Sequence, residues 1–278
     1  MIEAELSEDD FIRFVALIYR VSGVRIPSNK RVMITNRLRR RLRATGLANF
    51  TDYYLLLNSA KGQAEMPLFL DEVTTHETYF FRDVHHFEWF GSEFLTDLAL
   101  RARGGKRTKS LKVWSAACST GEEIYSLAFK MAEKRASFLG WDTTLLGTDL
   151  STASVAAARA GRYDARSLRR VGLEDRKKWF DPVANAVPEA WTVKPEIKAM
   201  TKFKHHNLLM PFRDGPFDCV FIKNVLIYFD LESKKTAVKH LLASLAKGGY
   251  LVVGPTEGIF SMLSTLEKVK PWLYRMPA

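Results

Sequence analysis

Cysteine is nearly absent from this 278-residue chain. Cys118 and Cys219 stand alone, far apart and in no zinc spacing, so a disulfide framework and a structural zinc site are both excluded. Long hydrophobic runs are missing too. No stretch approaches the roughly 18 to 20 uninterrupted apolar residues of a membrane span, and the opening MIEAELSEDD is acidic where a secretory signal is basic and then apolar. A soluble, cytoplasmic protein without membrane insertion is expected. Phosphate-cradling glycine patterns are also lacking: neither G-x-G-x-x-G nor G-x-x-x-x-G-K-[ST] occurs. Acidic residues vanish locally, with none between Phe11 and Thr51. Aromatics are not scarce, and at 12% of residues they exclude disorder as the main state.

Forty-two Lys and Arg outweigh 31 Asp and Glu, giving a formal charge of +11 that favours a polyanionic partner. The excess is concentrated in the acid-free segment, where Arg25, Lys30, Arg31, Arg37, Arg39, Arg40, Arg41 and Arg43 gather. That segment reads as helices. Ser7 caps a first helix carrying Phe11, Phe14, Val15 and Ile18 and ending at Gly23. A second runs from Ser28 or Asn29 to Ala44, with Ile34, Leu38 and Leu42 as its apolar stripe and Arg39, Arg40 and Arg43 pointing away from it. A third follows Asn49. Residues 1–72 therefore form a small all-helical unit, and 73–83 is a threonine- and aromatic-rich linker.

From residue 84 onward an apolar helix (HHFEWFGSEFLTDLAL) and a solvated loop (RARGGKRTKS) lead into alternating strands and helices. KVWSAA, TLLGT, FDCVFI and YLVV read as strands, and KFKHH as another. Thr120–Lys134, Ser151–Ala160 and Leu231–Ala246 read as helices, with a turn at Gly248-Gly249. This rhythm predicts a doubly wound parallel sheet over 84–278. It fails between 161 and 201, which reads as an insertion.

Ligands of such sheets bind at the carboxyl ends of the strands. There the sequence places Gly121-Glu122-Glu123 after the first strand, Asp149 after the second, and Asn224-Val225-Leu226-Ile227-Tyr228 after FDCVFIK. Asp149 is suited to accept bonds from ribose hydroxyls, and two carboxylates beside a helix start would repel a pyrophosphate. A nucleoside without phosphate and with positive charge fits, which describes S-adenosylmethionine. The same residues also fit a plainer reading, in which Glu122 and Glu123 complement a helix dipole and Asp149 caps the next helix.

The runs TTHETYFFRD, VWSAACSTGEEIYSLA, GTDLS, HHNLL, FDCVFIKNVLIYFD and GGYLVVGPTE, in this order, resemble the CheR-type chemoreceptor glutamate methyltransferases over nearly the whole chain. The resemblance implies an α/β fold: a basic all-helical N-terminal domain, then a doubly wound, Rossmann-like S-adenosylmethionine-dependent methyltransferase domain with a small β-subdomain at 161–201. It implies O-methylation of glutamate side chains on chemoreceptors, with S-adenosylhomocysteine as product. It further implies that His76, Thr78, Arg82, Glu123, Asp149, Asn207, Leu208, Asn224 and Val225 line the cofactor pocket, Asn207 at the adenine edge, and that Arg82 and Tyr228 serve the reacting groups. His76 departs from the family, which usually has Asn there. The implied partners are acidic cytoplasmic receptor helices and a receptor tail peptide at the β-subdomain; Arg39, Arg40 and Arg43 read either as a solvated face or as the dock for such a helix, and the absence of interspersed acidic residues favours the dock.

The remaining histidines do not form a metal set: His85 and His86 diverge on a helix, His205 and His206 alternate on a strand, and His240 has no partner of that kind. Cys118 sits where a nucleophile could, although the resemblance gives it a packing role, and Trp114 and Phe221 read as core. Two other functions deserve comparison. A nucleic-acid methyltransferase would use the basic helix, but no Asn-Pro-Pro-Tyr or Pro-Cys motif for handling bases is present. A non-catalytic cofactor-binding adaptor is hinted at only by His76.

Overall fold

The computed structural model describes residues 5–278; the first four residues of the expected helical unit lie outside the described residues. The helical unit comprises α1 (Glu8–Ser22), α2 (Arg31–Thr45), α3 (Phe50–Leu57) and α4 (Glu65–Val73). Its boundaries follow the sequence chemistry. The Ser7 side chain accepts from the Asp10 N–H and that of Asn49 from the Asp52 N–H, while Gly23 and Gly46 end α1 and α2 at φ of +73° and +71°. Phe14 is fully buried among the rings of Phe50, Tyr53, Tyr54 and Phe69. Burying one such ring contributes about 1.5–3 kcal/mol, so this small unit has its own core. The expected α2 stripe of Ile34, Leu38 and Leu42 is buried in it.

The next helix is not the regular one predicted. It breaks into α5 (Val84–Trp89), a π turn at Phe90–Phe94 and α6 (Leu95–Arg103). Phe90 and Phe94 both stay buried across the π turn, their rings stacked 5.3 Å apart. Then follow β1 (Ser110–Ala116), α7 (Glu122–Glu133), β2 (Asp142–Asp149) and α8 (Thr152–Ala160). The inserted segment holds β3 (Arg162–Asp164), α9 (Leu173–Trp179), β4 (Phe180–Pro182), β5 (Ala190–Val193) and α10 (Pro195–Lys198). Its strands form a separate antiparallel sheet in the order β3-β5-β4. The chain closes with β6 (Thr201–His205), β7 (Phe217–Ile222), α11 (Leu231–Ala243), β8 (Leu245–Val253), β9 (Glu267–Lys270) and β10 (Leu273–Arg275).

The main sheet has the order β6-β2-β1-β7-β8-β10-β9. Strands β6, β2, β1, β7 and β8 run parallel, and an antiparallel hairpin of β10 and β9 extends the β8 edge. That hairpin was not foreseen, because Pro271 and the polar Glu267–Lys270 run show no strand alternation. Around Gly248-Gly249 α11 stops earlier than expected, at Ala243, and β8 starts at Leu245, but the expected turn is kept as a bulge: Gly248 adopts φ of +69° and the pairing with β7 jumps from Phe217–Leu245 to Cys219–Tyr250. A side chain at Gly249 would meet the Ala246 carbonyl at 2.8 Å and the Phe217 carbonyl at 3.0 Å, so only glycine lets the two strands approach there. Alternation supplies both cores. Val113, Leu145, Cys219, Phe221 and Val252 face the α5–α7 side, whereas Trp114, Leu146, Val220, Ile222 and Leu251 face the α11 side.

Strand order reverses between β1 and β7, which opens a crevice at their carboxyl ends. The helical unit sits over it. Asp71 Oδ2 of α4 accepts from the Thr152 hydroxyl and the Ala153 N–H at the start of α8, both at 3.2 Å. The Tyr19 hydroxyl donates to Asp230 at 2.7 Å, and the Arg25 N–H donates to the Tyr228 carbonyl at 2.8 Å.

Candidate active site

Between the helical unit and the crevice lies a cavity of about 620 Å³, bordered by His76, Thr78, Arg82, Glu123, Asp149, Asn207, Leu208, Asn224, Val225 and Tyr228. Distant stretches of sequence therefore meet in one place. Arg39, Arg40 and Arg43 do not border the cavity; Arg25, Lys30 and Arg37 of the same basic segment do.

The turn after β1 is unusual. Ala117, Ser119 and Gly121 adopt φ of +62°, +50° and +96°, and a side chain at Gly121 would meet Ala158 Cβ at 2.9 Å. The turn is held by Asp149, whose Oδ2 accepts from the Ser119 N–H at 2.8 Å and whose Oδ1 accepts from the Ser151 N–H at 2.9 Å. Each oxygen retains a lone pair, so the carboxylate both ties two loops together and can receive hydroxyl donors. Burial pushes its pKa up, against the pull of these N–H groups and of nearby His76. The capping reading of Asp149 is displaced: Ser151 caps α8, accepting from the Ser154 N–H.

Glu122 and Glu123 separate into different jobs. Glu122 is 1% exposed, braced by the Thr120 hydroxyl at 2.7 Å and the Ser167 hydroxyl at 3.2 Å, and burial raises its pKa. It joins α7 to the inserted segment. Glu123 faces the cavity, accepting from the Ser115 hydroxyl at 2.8 Å with Lys223 Nζ 3.3 Å away. Lys223, which the sequence reading passed over, is 7% exposed; its ammonium also lies 3.3 Å from Asp83 and donates to the Arg82 carbonyl at 2.8 Å. The available signal was a charged residue ending a buried strand.

Arg82 donates to the Glu77 carbonyl at 2.9 Å and lies 5.8 Å from the Tyr79 ring centre. Tyr228 stands at the mouth, 39% exposed. Arg37 reaches over from α2, donating to the Val73 and Thr74 carbonyls at 2.5 and 3.0 Å, and burial lowers its pKa. The His76 ring spans the Thr74 hydroxyl at 2.8 Å and the Ser154 hydroxyl at 3.2 Å. Asn207 is committed to the backbone, donating to the Val21 carbonyl at 2.7 Å and accepting from the Leu209 N–H at 3.0 Å. Its second amide hydrogen and the second lone pair of its oxygen remain available.

Cys118 is buried, and burial, reinforced by the Asp149, Glu123 and Glu122 carboxylates, pushes its pKa well up. A thiol held protonated is a packing group, not a nucleophile. Trp114 and Phe221 are fully buried, as expected for core. Of the three basic-helix arginines, Arg40 pairs with Glu72, Arg43 donates to the Arg39 carbonyl at 3.3 Å, and Arg39 donates to Asn36 at 3.4 Å. Among the described residues no cluster of three or more His, Cys, Asp or Glu could hold a metal, and no helix is long and apolar enough to cross a membrane.

Comparison with known proteins names this architecture. Residues 9–74 match the all-alpha domain of CheR methyltransferase, and residues 76–273 match the CheR methyltransferase SAM-binding domain. The chain belongs to the CheR methyltransferase family. It is 34% identical over 245 residues to the probable chemotaxis protein methyltransferase of Rhizobium etli, covering 87% of this chain and 90% of that protein. It is 34% identical over 255 residues to chemotaxis protein methyltransferase 1 of Pseudomonas aeruginosa, covering 90% of each. The Escherichia coli chemotaxis protein methyltransferase is 34% identical over 255 residues, covering 91% of this chain and 85% of that protein. The chain is thus an S-adenosylmethionine-dependent methyltransferase serving methylation in chemotactic adaptation.

The residues fit that cofactor on chemical grounds. Glu123 and Asp149 bring negative charge towards a cationic ligand, Leu208 and Val225 supply apolar wall, and no phosphate cradle is present.

Proposed function

We propose that this CheR methyltransferase methylates glutamate side-chain carboxylates of chemoreceptors at the cytoplasmic face, giving glutamyl methyl esters. The observation that carries the reading is the uneven charge around the cavity: Glu123 and Asp149 outweigh Lys223 on the sheet side, and Arg25, Lys30, Arg37 and Arg82 outweigh Glu77 towards the helical unit. A cationic methyl donor suits the first set and an anionic acceptor suits the second.

When bound, S-adenosylmethionine supplies a methyl group activated by its sulfonium. The acceptor carboxylate, with an ordinary pKa of about 4.3, is already ionised at neutral pH and needs no general base. The protein's task is positioning and water exclusion, bringing the attacking oxygen within about 3–3.5 Å of the methyl carbon. Asp149 receives the ribose hydroxyls, and the Glu123 carboxylate, already paired with Lys223, receives the ammonium. His76, Thr78, Asn207, Leu208, Asn224 and Val225 complete the cofactor wall. Tyr228, exposed at the mouth, orients the acceptor through its hydroxyl. Arg82, anchored by Glu77 and Tyr79, orders the acceptor side and carries guanidinium donors that match a carboxylate in a fork. Receptor helices rich in acid approach along Arg39, Arg40 and Arg43. A receptor tail engages the inserted β3-β5-β4 sheet, whose outer strands have free edges for strand addition.

The test is incubation with tritiated S-adenosylmethionine and cell extract, followed by mild alkali. Carboxyl methyl esters release volatile tritiated methanol. Alkali-stable label would transfer the activity to nucleic acid or lysine, and no labelling would leave an adaptor.

A further inference from the structure

Glu257 is a fully buried carboxylate that the reading of the active site does not use. It lies in the loop after β8, in the run Gly254-Pro255-Thr256-Glu257, and reaches sideways to the neighbouring loop after β7. Its Oε1 accepts from the Asn224 N–H, and its Oε2 accepts from the Leu226 N–H at 2.7 Å and the Val225 N–H at 3.3 Å. These are donors that find no partner within the short 3₁₀ turn Leu226–Tyr228, into which Asn224, at φ of +58°, turns the chain out of β7. Without an acceptor there, buried N–H groups would be left unpaired.

Space for the contact is provided on purpose by Gly254. A side chain on Gly254 would lie 2.5 Å from Glu257 Oε1 and 3.2 Å from Lys223 Cα. The two loops can therefore press together only across a glycine. The clamped segment is the one whose side chains Asn224, Val225, Ile227 and Tyr228 border the cavity, while Glu257 itself does not border it. At its far end the segment is tied to the helical unit by the Val24–Phe229 bridge.

We infer that Glu257 is a positioning residue that sets the active-site loop Asn224–Tyr228 through its main-chain amides, and thereby both cofactor affinity and the placement of Tyr228. Negative charge matters to this role. A carboxylate offers acceptor sites only, whereas the isosteric glutamine would turn an NH₂ donor towards one of the amides. Burial raises the carboxyl pKa, while the three N–H bonds and the Lys234 ammonium oppose that rise.

The inference depends on the cofactor reading but not on the identity of the acceptor, so its first readout is binding of S-adenosylhomocysteine by the full chain. Glu257→Gln should weaken that binding about tenfold, as expected for a buried amide left unpaired. Amide hydrogen exchange is the second readout. Val225 and Leu226 should lose protection in the variant while α11 retains it. A third readout separates positioning from simple loss of stability. In the folded variant kcat should fall with receptor KM unchanged, and Tyr228→Phe should cost less in the Glu257→Gln background than in the parent, because the hydroxyl is already misplaced. Gly254→Ala, which displaces the carboxylate without removing it, should reproduce the binding defect. A Glu257→Gln protein that unfolds at lower temperature but binds with parental affinity and keeps Val225 and Leu226 protected overturns the assignment. If only Gly254→Ala yields folded protein, parental affinity in that variant overturns it equally.

Discussion

The charges at the sheet's carboxyl end and those of the helical unit behave in opposite ways. At the sheet end, Asp149, Glu122, Lys223 and Glu257 are all at least 90% buried, and each is paired with main-chain amides, hydroxyls or an opposite charge. In the helical unit the arginine run divides. Arg41 forks onto Glu65 at 2.9 Å through two nitrogens, joined by the Tyr53 hydroxyl at 2.7 Å, and Arg37 is spent on the linker carbonyls. Arg40 keeps half its side chain in solvent despite its Glu72 partner. Buried charges are costly unless matched, so they occur where geometry must be held; exposed charges are cheap and serve encounter. A count of Arg and Lys cannot distinguish the two.

The largest expected effect tests the buried side of this comparison. Lys223→Met leaves Glu123 and Asp83 without their shared cation, and stability should drop by about 3 kcal/mol, the usual cost of breaking a buried pair. Urea unfolding checks it, and an unchanged midpoint would mean the carboxylates are solvated after all. Asp149→Ala should weaken S-adenosylhomocysteine binding by about 2–3 kcal/mol, since it deletes a charged acceptor and frees two loop amides. Calorimetry decides, and parental affinity would remove Asp149 from the ribose site.

Acid should expose a buried imidazole. Burial holds His86 down at about 2, so it is neutral in the folded protein and protonates on unfolding below the ordinary value near 6.5. The unfolded state then binds more protons, and stability falls by about 2 kcal/mol from this group as pH drops from about 8 to 5. His86→Phe should remove that contribution and flatten the profile over that range. Parallel profiles would mean that His86 is hydrated.

Smaller effects belong to the mouth and the surface. Tyr228→Phe should lower methyl transfer about tenfold with cofactor affinity nearly unchanged, and full activity would end its proposed role. Arg39→Glu with Arg43→Glu should alter stability by less than about 0.5 kcal/mol yet slow receptor methylation at low salt, the difference closing as the Debye length shortens from about 10 Å at 0.1 M to about 3 Å at 1 M. Equal rates at low salt would make that face merely solvated.

Sequence alone determined the helical unit, the parallel sheet and the places where ligands gather, because caps, apolar period and strand-end motifs are local signals. Ser7, Gly23 and the Ile34-Leu38-Leu42 stripe need no distant partner to be legible. Tertiary structure decided which polar residues brace the loops and which border the cavity. Glu257 lies 31 residues from Leu226 in sequence, Lys223 meets Asp83 and Glu123 from two other segments, and Asn207 is drawn to the end of α1. No local period encodes such pairings. They exist because buried main-chain donors and charges must find partners wherever the fold brings one within reach. The β9–β10 hairpin was illegible for the same reason, since its hydrogen bonds are set by each other's strands and by β8.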